Sequence, residues 1–344
     1  MNFMLKAQNA ILYECGFSCD NVIFLKFGDE AFFVTDGRYE TEAKEQIRDA
    51  EVVVANRRNM YPKVASLIKD AKVKKIVYDP KEWSVYDFEN LAKEVEKVEF
   101  KKELDFSHKR RIIKSETEIE LLKEAAKFGA KAFDNFATFL KTEGCGLSER
   151  RLHYEAQNIL KNYGEFELSF SPIVAVSQNA AKCHALPLDR VLRDEDLILF
   201  DAGIKYGGYC SDRTRTSSFN SEINFKKDQS FSSKKIQKAY DTVLKAQERG
   251  IKEARSGKKA NEIDRICREV IEKEGFGDLF IHSTGHGVGL DIHELPIISK
   301  ESETTLQEGM VFTIEPGIYM PGEFGIRIED TVVITSDGCE VIGR

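Results

Sequence analysis

The sequence is poor in proline and contains no proline-rich, glycine-rich or other low-complexity tract. Seven prolines in 344 residues are too few for a collagen-like or linker-rich chain, and the apolar content of 42% argues against disorder. The sequence therefore predicts a folded globular protein. Its length exceeds that of most single domains, so we expect two domains, each with a buried core.

Long hydrophobic runs are also absent, and none approaches the ~20 residues that a membrane-spanning helix requires. The N-terminal stretch carries Lys6 and Glu14 and has no small-residue cleavage site, so we expect no export signal. Basic residues are interleaved with acidic ones, and the formal net charge is −7, which leaves no basic stripe for a phosphate backbone. We predict a cytoplasmic protein that binds neither membrane nor nucleic acid.

A pair of cysteines with Cys-x-x-Cys spacing is missing, and the seven cysteines are scattered along the chain. This pattern is typical of reduced thiols rather than of disulfides or a zinc site. Cys183 lies beside His184, but no Asn or Asp has a spacing that would orient this histidine for a cysteine nucleophile. We therefore interpret Cys183 as a small packing residue.

Histidine is scarce, yet three of the six histidines lie within residues 282–294, in the stretch His-Ser-Thr-Gly-His-Gly-Val-Gly-Leu-Asp-Ile-His-Glu. Its glycines argue against a regular helix and predict a closely packed backbone segment that approaches a ligand. A single histidine is more often a core or surface residue, so a site needs partners. Asp201 and Asp212 upstream, and Glu315 and Glu329 downstream, are candidate partners.

The first third of the chain predicts an α/β domain over residues 1–107. Apolar runs on either side of Gly28-Asp29 indicate a hairpin, and strand-like and helix-like segments then alternate. We predict a linker over residues 108–118 and a second domain over 119–344. A long amphipathic helix opens the second domain, because Ser115-Glu-Thr-Glu118 has capping-box spacing.

The two aspartates lie on a predicted strand pair. Leu197-Ile-Leu-Phe200 is an apolar run that leads into Asp201, and Gly207-Gly208 can turn the chain back. If these glycines form the turn, Asp212 lies opposite Gly203, on the same face as Asp201. The sequence therefore predicts that both carboxylates converge.

The two glutamates lie on a second predicted strand pair, about Pro321-Gly322. Glu315 and Glu329 are an even number of residues apart about this turn, so they too can share a face. Two buried carboxylate pairs would carry a large desolvation cost without counter-charges. Arg327 can neutralise only one carboxylate, and we expect it beside the ligands and the substrate.

Together with the imidazole of His286, these four carboxylates form an oxygen-rich set with enough negative charge for two divalent ions. Such a two-metal site holds water as hydroxide and polarises a carbonyl, which is the chemistry of acyl or peptide bond hydrolysis. Oxygen ligands favour Mn²⁺, although cobalt, zinc and iron also accept this set.

Five motifs, D-A-G, Y-C-S-D-R-T-R-T, H-S-T-G-H-G-V-G-L-D-I-H-E, E-P-G-I-Y and R-I-E-D, resemble those of the pita-bread metallopeptidases, in the Xaa-Pro aminopeptidase and prolidase branch. The resemblance extends from about residue 110 to the end of the chain. Gly16-Phe-Ser and Thr35-Asp-Gly-Arg-Tyr39 are similar to the smaller N-terminal domain of that family. The resemblance implies an α+β, pita-bread catalytic domain preceded by a creatinase-like α/β domain.

In that family the residues at matching positions hold a dinuclear metal centre: Asp201, Asp212, His286, Glu315 and Glu329. The resemblance implies that Glu315 also handles the proton of the attacking water. It implies that His293 and His184 form hydrogen bonds with the scissile carbonyl or the developing oxyanion. His282 is expected near the prolyl pocket, and we count Arg327 among the substrate-binding residues.

The resemblance favours an Xaa-Pro aminopeptidase, with Xaa-Pro dipeptidase (prolidase) as the alternative. Methionine aminopeptidases share the core, but they usually lack a small N-terminal domain of this kind and a counterpart of His282. Non-catalytic pita-bread modules that bind proteins usually lose metal ligands, whereas every ligand position is kept here. The expected substrates are peptides with proline at the second position. A homodimer is expected, since relatives use the small domain to close a neighbour's cleft.

Two departures from the family pattern lead to further expectations. The chain starts late, so we expect the small domain to lack the strand and helix that usually precede the region from Cys15 to Tyr39. Ser177 stands where relatives often have glycine before the Asn-Ala-Ala step.

Overall fold

The computed structural model describes residues 1–56, 58–95 and 97–343. The chain divides into two compact units, Met1–Arg111 and Ile112–Arg344. Arg344, the last residue of the predicted catalytic domain, lies outside the described residues. Within the described ranges, no helix is long and apolar enough to cross a membrane.

The first unit is built from short helices around one mixed sheet. Its helices are α1 (Gln8–Cys15), α2 (Glu40–Gln46), α3 (Met60–Asp70), α4 (Val85–Glu94) and α5 (Phe106–Arg111). Its strands are β1 (Asn2–Leu5), β2 (Val22–Phe27), β3 (Glu30–Thr35), β4 (Glu51–Val54), β5 (Lys75–Tyr78) and β6 (Glu99–Lys102). Where the chain is described, they form a sheet in the order β4-β3-β2-β1-β5-β6.

The α/β pattern predicted for this unit is confirmed. Phe27 pairs with Glu30, so that Gly28 and Asp29 form the two-residue hairpin turn. Strand β3 pairs in parallel with β4, and β5 pairs in parallel with β6. The expectation that the unit lacks a strand and helix before Cys15 is wrong, because β1 and α1 occupy this segment. The apolar run Phe3-Met4-Leu5 of β1 is buried. The run is short and is followed by the charged Lys6, so the sequence alone does not indicate a strand there.

The second unit combines four described helices with several small antiparallel sheets. Its helices are α6 (Glu116–Phe139), α7 (Glu149–Lys161), α8 (Lys234–Glu253) and α9 (Ala260–Lys273). Its strands are β7 (Glu167–Leu168), β8 (Ile173–Val176), β9 (Leu197–Ala202), β10 (Ile204–Tyr206), β11 (Tyr209–Cys210), β12 (Arg213–Ser218), β13 (Gly285–Gly287), β14 (Glu294–Ile298), β15 (Val311–Ile314), β16 (Gly317–Met320), β17 (Phe324–Arg327), β18 (Asp330–Ile334) and β19 (Cys339–Val341).

The long helix α6 begins where the sequence predicts. The Ser115 hydroxyl accepts a hydrogen bond from the Glu118 amide, and the Glu118 carboxylate accepts one from the Ser115 amide at 2.8 Å. Phe133 and Phe136 are fully buried on one face of the helix. The segment 108–118, predicted as a linker, contains the end of α5 and the first turn of α6.

The strands that carry the predicted site residues lie in three groups. Strand β9 lies between β8 and β12, and β13 lies between β14 and β15. Strand β15 also pairs with β18, while β16 and β17 form a separate hairpin. Buried apolar side chains from α8 and α9 pack against strands of both of the larger groups. Asp201 therefore lies on a core strand, and Asp212, Glu315 and Glu329 lie within two residues of the ends of such strands.

Ser177 has a φ of +47°, in the left-handed region that favours glycine. This conformation gives a physical reason for the glycine that the family resemblance leads us to expect there. The Ser177 hydroxyl donates to the Asp196 carboxylate at 2.6 Å and accepts from the Leu197 amide at 3.3 Å. These bonds offset part of the backbone strain.

Candidate metal centre and active site

Asp201 lies on β9, and Asp212 immediately precedes the neighbouring strand β12. The β9–β12 register pairs Ala202 with Arg213 and Asp201 with Thr214. Continued by one residue, it places Asp212 opposite Gly203, as the sequence predicts. A Cβ at Gly203 would lie 1.8 Å from the carbonyl oxygen of Ser211, so only glycine permits this close approach.

Glu315 and Glu329 lie opposite each other where two ladders are interrupted. Ile314 pairs with Asp330 before the interruption, and Gly317 pairs with Arg327 after it. The Thr313 hydroxyl donates to Glu315 Oε1 at 3.1 Å. The Thr214 hydroxyl donates to Glu329 Oε2 at 2.6 Å. The predicted convergence of this pair therefore has a simple origin in the register.

His286 lies on β13 and directs its imidazole at these carboxylates. Its Nε2 is 3.5 Å from Asp212 Oδ2 and 3.3 Å from Glu315 Oε1. The Nδ1 atom is 3.1 Å from the Gly287 carbonyl oxygen, which can only accept, so Nδ1 carries the proton. Burial lowers the pKa of His286. The Nε2 lone pair is therefore free to bind a cation.

The glycines of this stretch have the close contacts predicted for them. A Cβ at Gly285 would lie 1.9 Å from the carbonyl oxygen of Thr313. A Cβ at Gly287 would lie 2.2 Å from the carbonyl oxygen of Leu295. The glycines allow β13 to lie between its two neighbours while carrying a large imidazole.

Arg327 is a buried cation among the carboxylates. Its guanidinium forms an ion pair with Asp201, and its Nε is 4.0 Å from Glu315 Oε2. Its Nη1 donates to the Tyr319 hydroxyl at 2.7 Å and to the Cys183 carbonyl at 3.2 Å. One arginine therefore pairs closely with one carboxylate, as the sequence analysis expects.

Tyr319 is a site residue that the sequence analysis missed. Its hydroxyl lies 2.9 Å from His282 Nε2, and His282 Nδ1 lies 2.7 Å from the Ser283 carbonyl oxygen. Because this carbonyl only accepts, Nε2 accepts from the tyrosine. The available signal was spacing, since Tyr319 follows Glu315 by four residues and an even interval keeps two strand residues on one face.

The carboxylate cluster is strongly perturbed. Burial raises the pKa of Glu315 to about 7, with the Asp201 charge adding to the shift and Arg327 opposing it. Burial also raises the pKa of Asp212 and of Glu329 well above the usual range, and neighbouring carboxylates add to both shifts. Concentrated negative charge of this kind is costly in an apolar setting unless a cation compensates it.

The donor set fits a metal centre. Ligand atoms of Asp212, His286 and Glu329 lie within 4.8 Å of one another. The Oδ1 atom of Asp201 is buried and has no hydrogen-bond partner in the described part of the chain. Carboxylate oxygens and one imidazole nitrogen are ligands that suit divalent ions. The buried, unpartnered oxygen is the observation that best supports a cation here.

His184 and His293 line the same cavity, which has a volume of about 780 Å³. The ring centroid of His293 is 4.3 Å from that of His286. Burial and the neighbouring His286 lower the pKa of His293, so that it is a neutral hydrogen-bond donor at neutral pH. Burial, assisted by Arg327, lowers the pKa of His282 to about 3.

The cavity is lined by apolar side chains as well as by charged ones. The apolar lining comprises Phe170, Pro172, Ile173, Leu186, Pro187, Ile292 and Ile297. His153 also lines the cavity, and its Nε2 is 2.6 Å from the side-chain nitrogen of Gln157. A cavity of this kind suits a small, partly apolar substrate that meets polar groups at one end.

The chain matches two known families over most of its length. Residues 120–336 match metallopeptidase family M24, and residues 2–109 match the creatinase/prolidase N-terminal domain. It is 40% identical to the Xaa-Pro dipeptidase of Pyrococcus furiosus over 252 residues, which cover 73% of this chain and 69% of that protein.

Two solved structures are similar over the whole chain. One is titled Xaa-Pro dipeptidase from Bacillus anthracis, with a TM-score of 0.91, 33% identity and coverage of 100% of this chain and 92% of that one. The other is titled X-Pro aminopeptidase from Thermotoga maritima, with a TM-score of 0.87, 31% identity and coverage of 100% and 95%.

Proposed function

The chain belongs to metallopeptidase family M24 and has its pita-bread fold, and we propose that it is an Xaa-Pro dipeptidase, or prolidase. The convergence of four carboxylates and His286 in one cavity carries this proposal. The Pyrococcus furiosus and Bacillus anthracis proteins are named as dipeptidases. They therefore favour Xaa-Pro dipeptidase activity, which was the alternative expectation from the sequence, over Xaa-Pro aminopeptidase activity, which was the first.

We assign metal binding to the five residues whose side chains converge in the cavity: Asp201, Asp212, His286, Glu315 and Glu329. When bound, two divalent ions supply a hydroxide nucleophile and polarise the scissile carbonyl. We also assign to Glu315 the transfer of the attacking water's proton, as the family resemblance implies. Arg327 keeps Asp201 oriented and Tyr319 in place.

We assign the histidines of the cavity to substrate binding. His293 and His184 donate hydrogen bonds to the substrate carbonyl oxygen, which becomes more negative in the transition state. His282 and Arg327 lie on either side of the Tyr319 hydroxyl, and we assign them to the prolyl end of the substrate. The apolar side chains that line the cavity receive the apolar parts of the dipeptide.

A substrate panel tests the proposal. The manganese-loaded protein is incubated with Met-Pro, Met-Pro-Ala and Met-Ala, with chelator-treated protein and Asp212→Asn as controls. We expect hydrolysis of Met-Pro above all. Preference for Met-Pro-Ala would instead support Xaa-Pro aminopeptidase activity, the second candidate, which the similarity to the Thermotoga maritima structure favours. Inertness towards every peptide, with two metals bound, would contradict both.

Three finer expectations complete the proposal: manganese as the native metal, a homodimer and a cytoplasmic location. Elemental analysis of protein purified without added metal tests the first. Sedimentation at micromolar concentration tests the second, and cell fractionation tests the third. Zinc or iron at two equivalents, an active monomer, or recovery outside the cytoplasm would each contradict one expectation. Retention of every predicted ligand argues against a non-catalytic binding module.

A further inference from the structure

We propose that Glu149 is a positioning residue that fixes His184 for catalysis, an inference that rests on the proposed peptidase function. His184 lies on residues 182–191, here called the His184 loop. In this loop the described backbone has neither helix nor strand, and the loop contributes residues 183–187 to the cavity. A catalytic donor on an irregular loop needs fixed contacts elsewhere.

Glu149 supplies these contacts from the first turn of α7. Its side chain is completely buried. Its Oε1 accepts from the Val176 amide at 2.7 Å, and its Oε2 accepts from Asn179 Nδ2 at 2.8 Å and from the Leu188 amide at 2.8 Å. One carboxylate thereby joins the end of β8, the turn at Asn179 and the far side of the His184 loop.

Asn179 extends the connection to a point closer to His184. Its Nδ2 also donates to the Leu186 carbonyl at 2.9 Å. On the other side of His184, the Cys183 carbonyl accepts from Arg327 at 3.2 Å. Only two residues, His184 and Ala185, separate these two fixed carbonyls. The backbone on the two sides of His184 is therefore held by Arg327 at Cys183 and by the Glu149–Asn179 pair at Leu186.

The chemistry of this contact requires a carboxylate. Three N–H donors converge on two oxygens, and an ionised carboxylate accepts from all of them. A glutamine of the same shape would present an NH₂ group to at least one donor. Glu149→Gln therefore removes hydrogen bonds to the His184 loop while preserving side-chain volume.

The test is a double-mutant cycle in kcat with Met-Pro as substrate. We expect Glu149→Gln to lower kcat about 10–100-fold with bound metal unchanged, because a displacement of ~1 Å is enough for such a loss. In the His184→Ala background, the same change should cost no more than roughly twofold. Glu155→Gln is the matched control, since Glu155 lies on α7 and pairs at 2.6 Å with exposed Arg151.

An equal loss in both backgrounds, or loss of metal in Glu149→Gln, would overturn the proposal. Asn179→Ala is the second variant, used if Glu149→Gln does not fold, and it should show the same dependence on His184. Hydrogen exchange gives a readout without activity: amides of the His184 loop should exchange faster in Glu149→Gln while those of α9 do not change. Uniformly faster exchange would indicate a general structural role. A protein inert towards peptides would refute the proposed function. The hydrogen-exchange result would still show whether Glu149 holds the His184 loop in place.

Discussion

Replacement of Glu315 by glutamine should stabilise the metal-free protein at pH 8 and destabilise it relative to wild type once metal is bound. Glutamine keeps the size of the side chain and removes its charge. Burial raises the pKa of Glu315 from 4.5 to about 7. The charged form is therefore unfavourable in the folded metal-free protein, and the variant avoids this cost.

The sign and size of the stability difference between the variant and wild type follow from proton linkage. Between pH 4.5 and about 7, the folded state keeps a proton that the unfolded chain has lost. The contribution of the protonated carboxyl to stability is thus fully present below pH 4.5 and is lost as the pH rises through about 7. Each pK unit corresponds to ~1.4 kcal/mol, so the full cost is about 3 kcal/mol at pH 8.

Urea unfolding followed by circular dichroism measures this difference. Tryptophan fluorescence is unsuitable, because Trp83, the only tryptophan, lies in the first unit. With chelator present, the variant should match wild type near pH 4 and exceed it by about 3 kcal/mol at pH 8. Glu301→Gln, which changes an exposed side chain, should have the same stability as wild type at both pH values.

Added manganese should reverse the order. A ligand at 1,000 times its Kd stabilises the folded state by ~4.1 kcal/mol, which exceeds the difference of about 3 kcal/mol, and the variant binds metal more weakly. A variant that is less stable than wild type in chelator at pH 8 would refute the reasoning. So would a difference that does not change with pH, because the effect would then come from packing rather than from the buried charge.

Three further predictions concern single side chains. His286→Ala should lose metal and recover activity partly with excess metal, whereas His293→Ala should keep its metal and lose ~10²–10³-fold in kcat; elemental analysis and kinetics separate them. Gly203→Ala should lower the free energy of unfolding by more than about 4 kcal/mol, measured in urea, since its Cβ would overlap a carbonyl oxygen. Lys114→Met should cost about 3–5 kcal/mol, because it breaks the fully buried ion pair with Glu294 at 2.8 Å; unchanged thermal unfolding would contradict this.

The convergence of the acidic residues could be predicted because it depends on local rules. Two turn glycines and the alternation of side chains along a strand are enough to place Asp212 opposite Gly203. The same alternation applies to Glu315 and Glu329, whose strands follow one register on both sides of an interruption. Within each pair, the carboxylates predicted to bind metal are close in register although 11 or 14 residues separate them in sequence.

Contacts between distant segments could not be predicted in this way. Glu149 contacts Leu188 across 39 residues, and nothing in the local pattern distinguishes it from a solvated helix residue. Tyr319 is an ordinary buried aromatic in the sequence, and only the fold brings His282 to its hydroxyl. Lys114 and Glu294 are 180 residues apart. Such pairs follow from tertiary packing, which one sequence does not encode as a period or a spacing.

The shared registers of the two hairpins restrict which insertions and deletions the chain tolerates. One residue gained or lost between Asp201 and Gly207 would have to form a bulge, or it would turn one aspartate to the opposite face. A change of two residues would keep both aspartates on the same face of the strand pair. The same parity rule applies between Glu315 and the turn at Gly322. Whether the number of residues in these segments is odd or even is therefore constrained, in addition to the identity of the acids themselves.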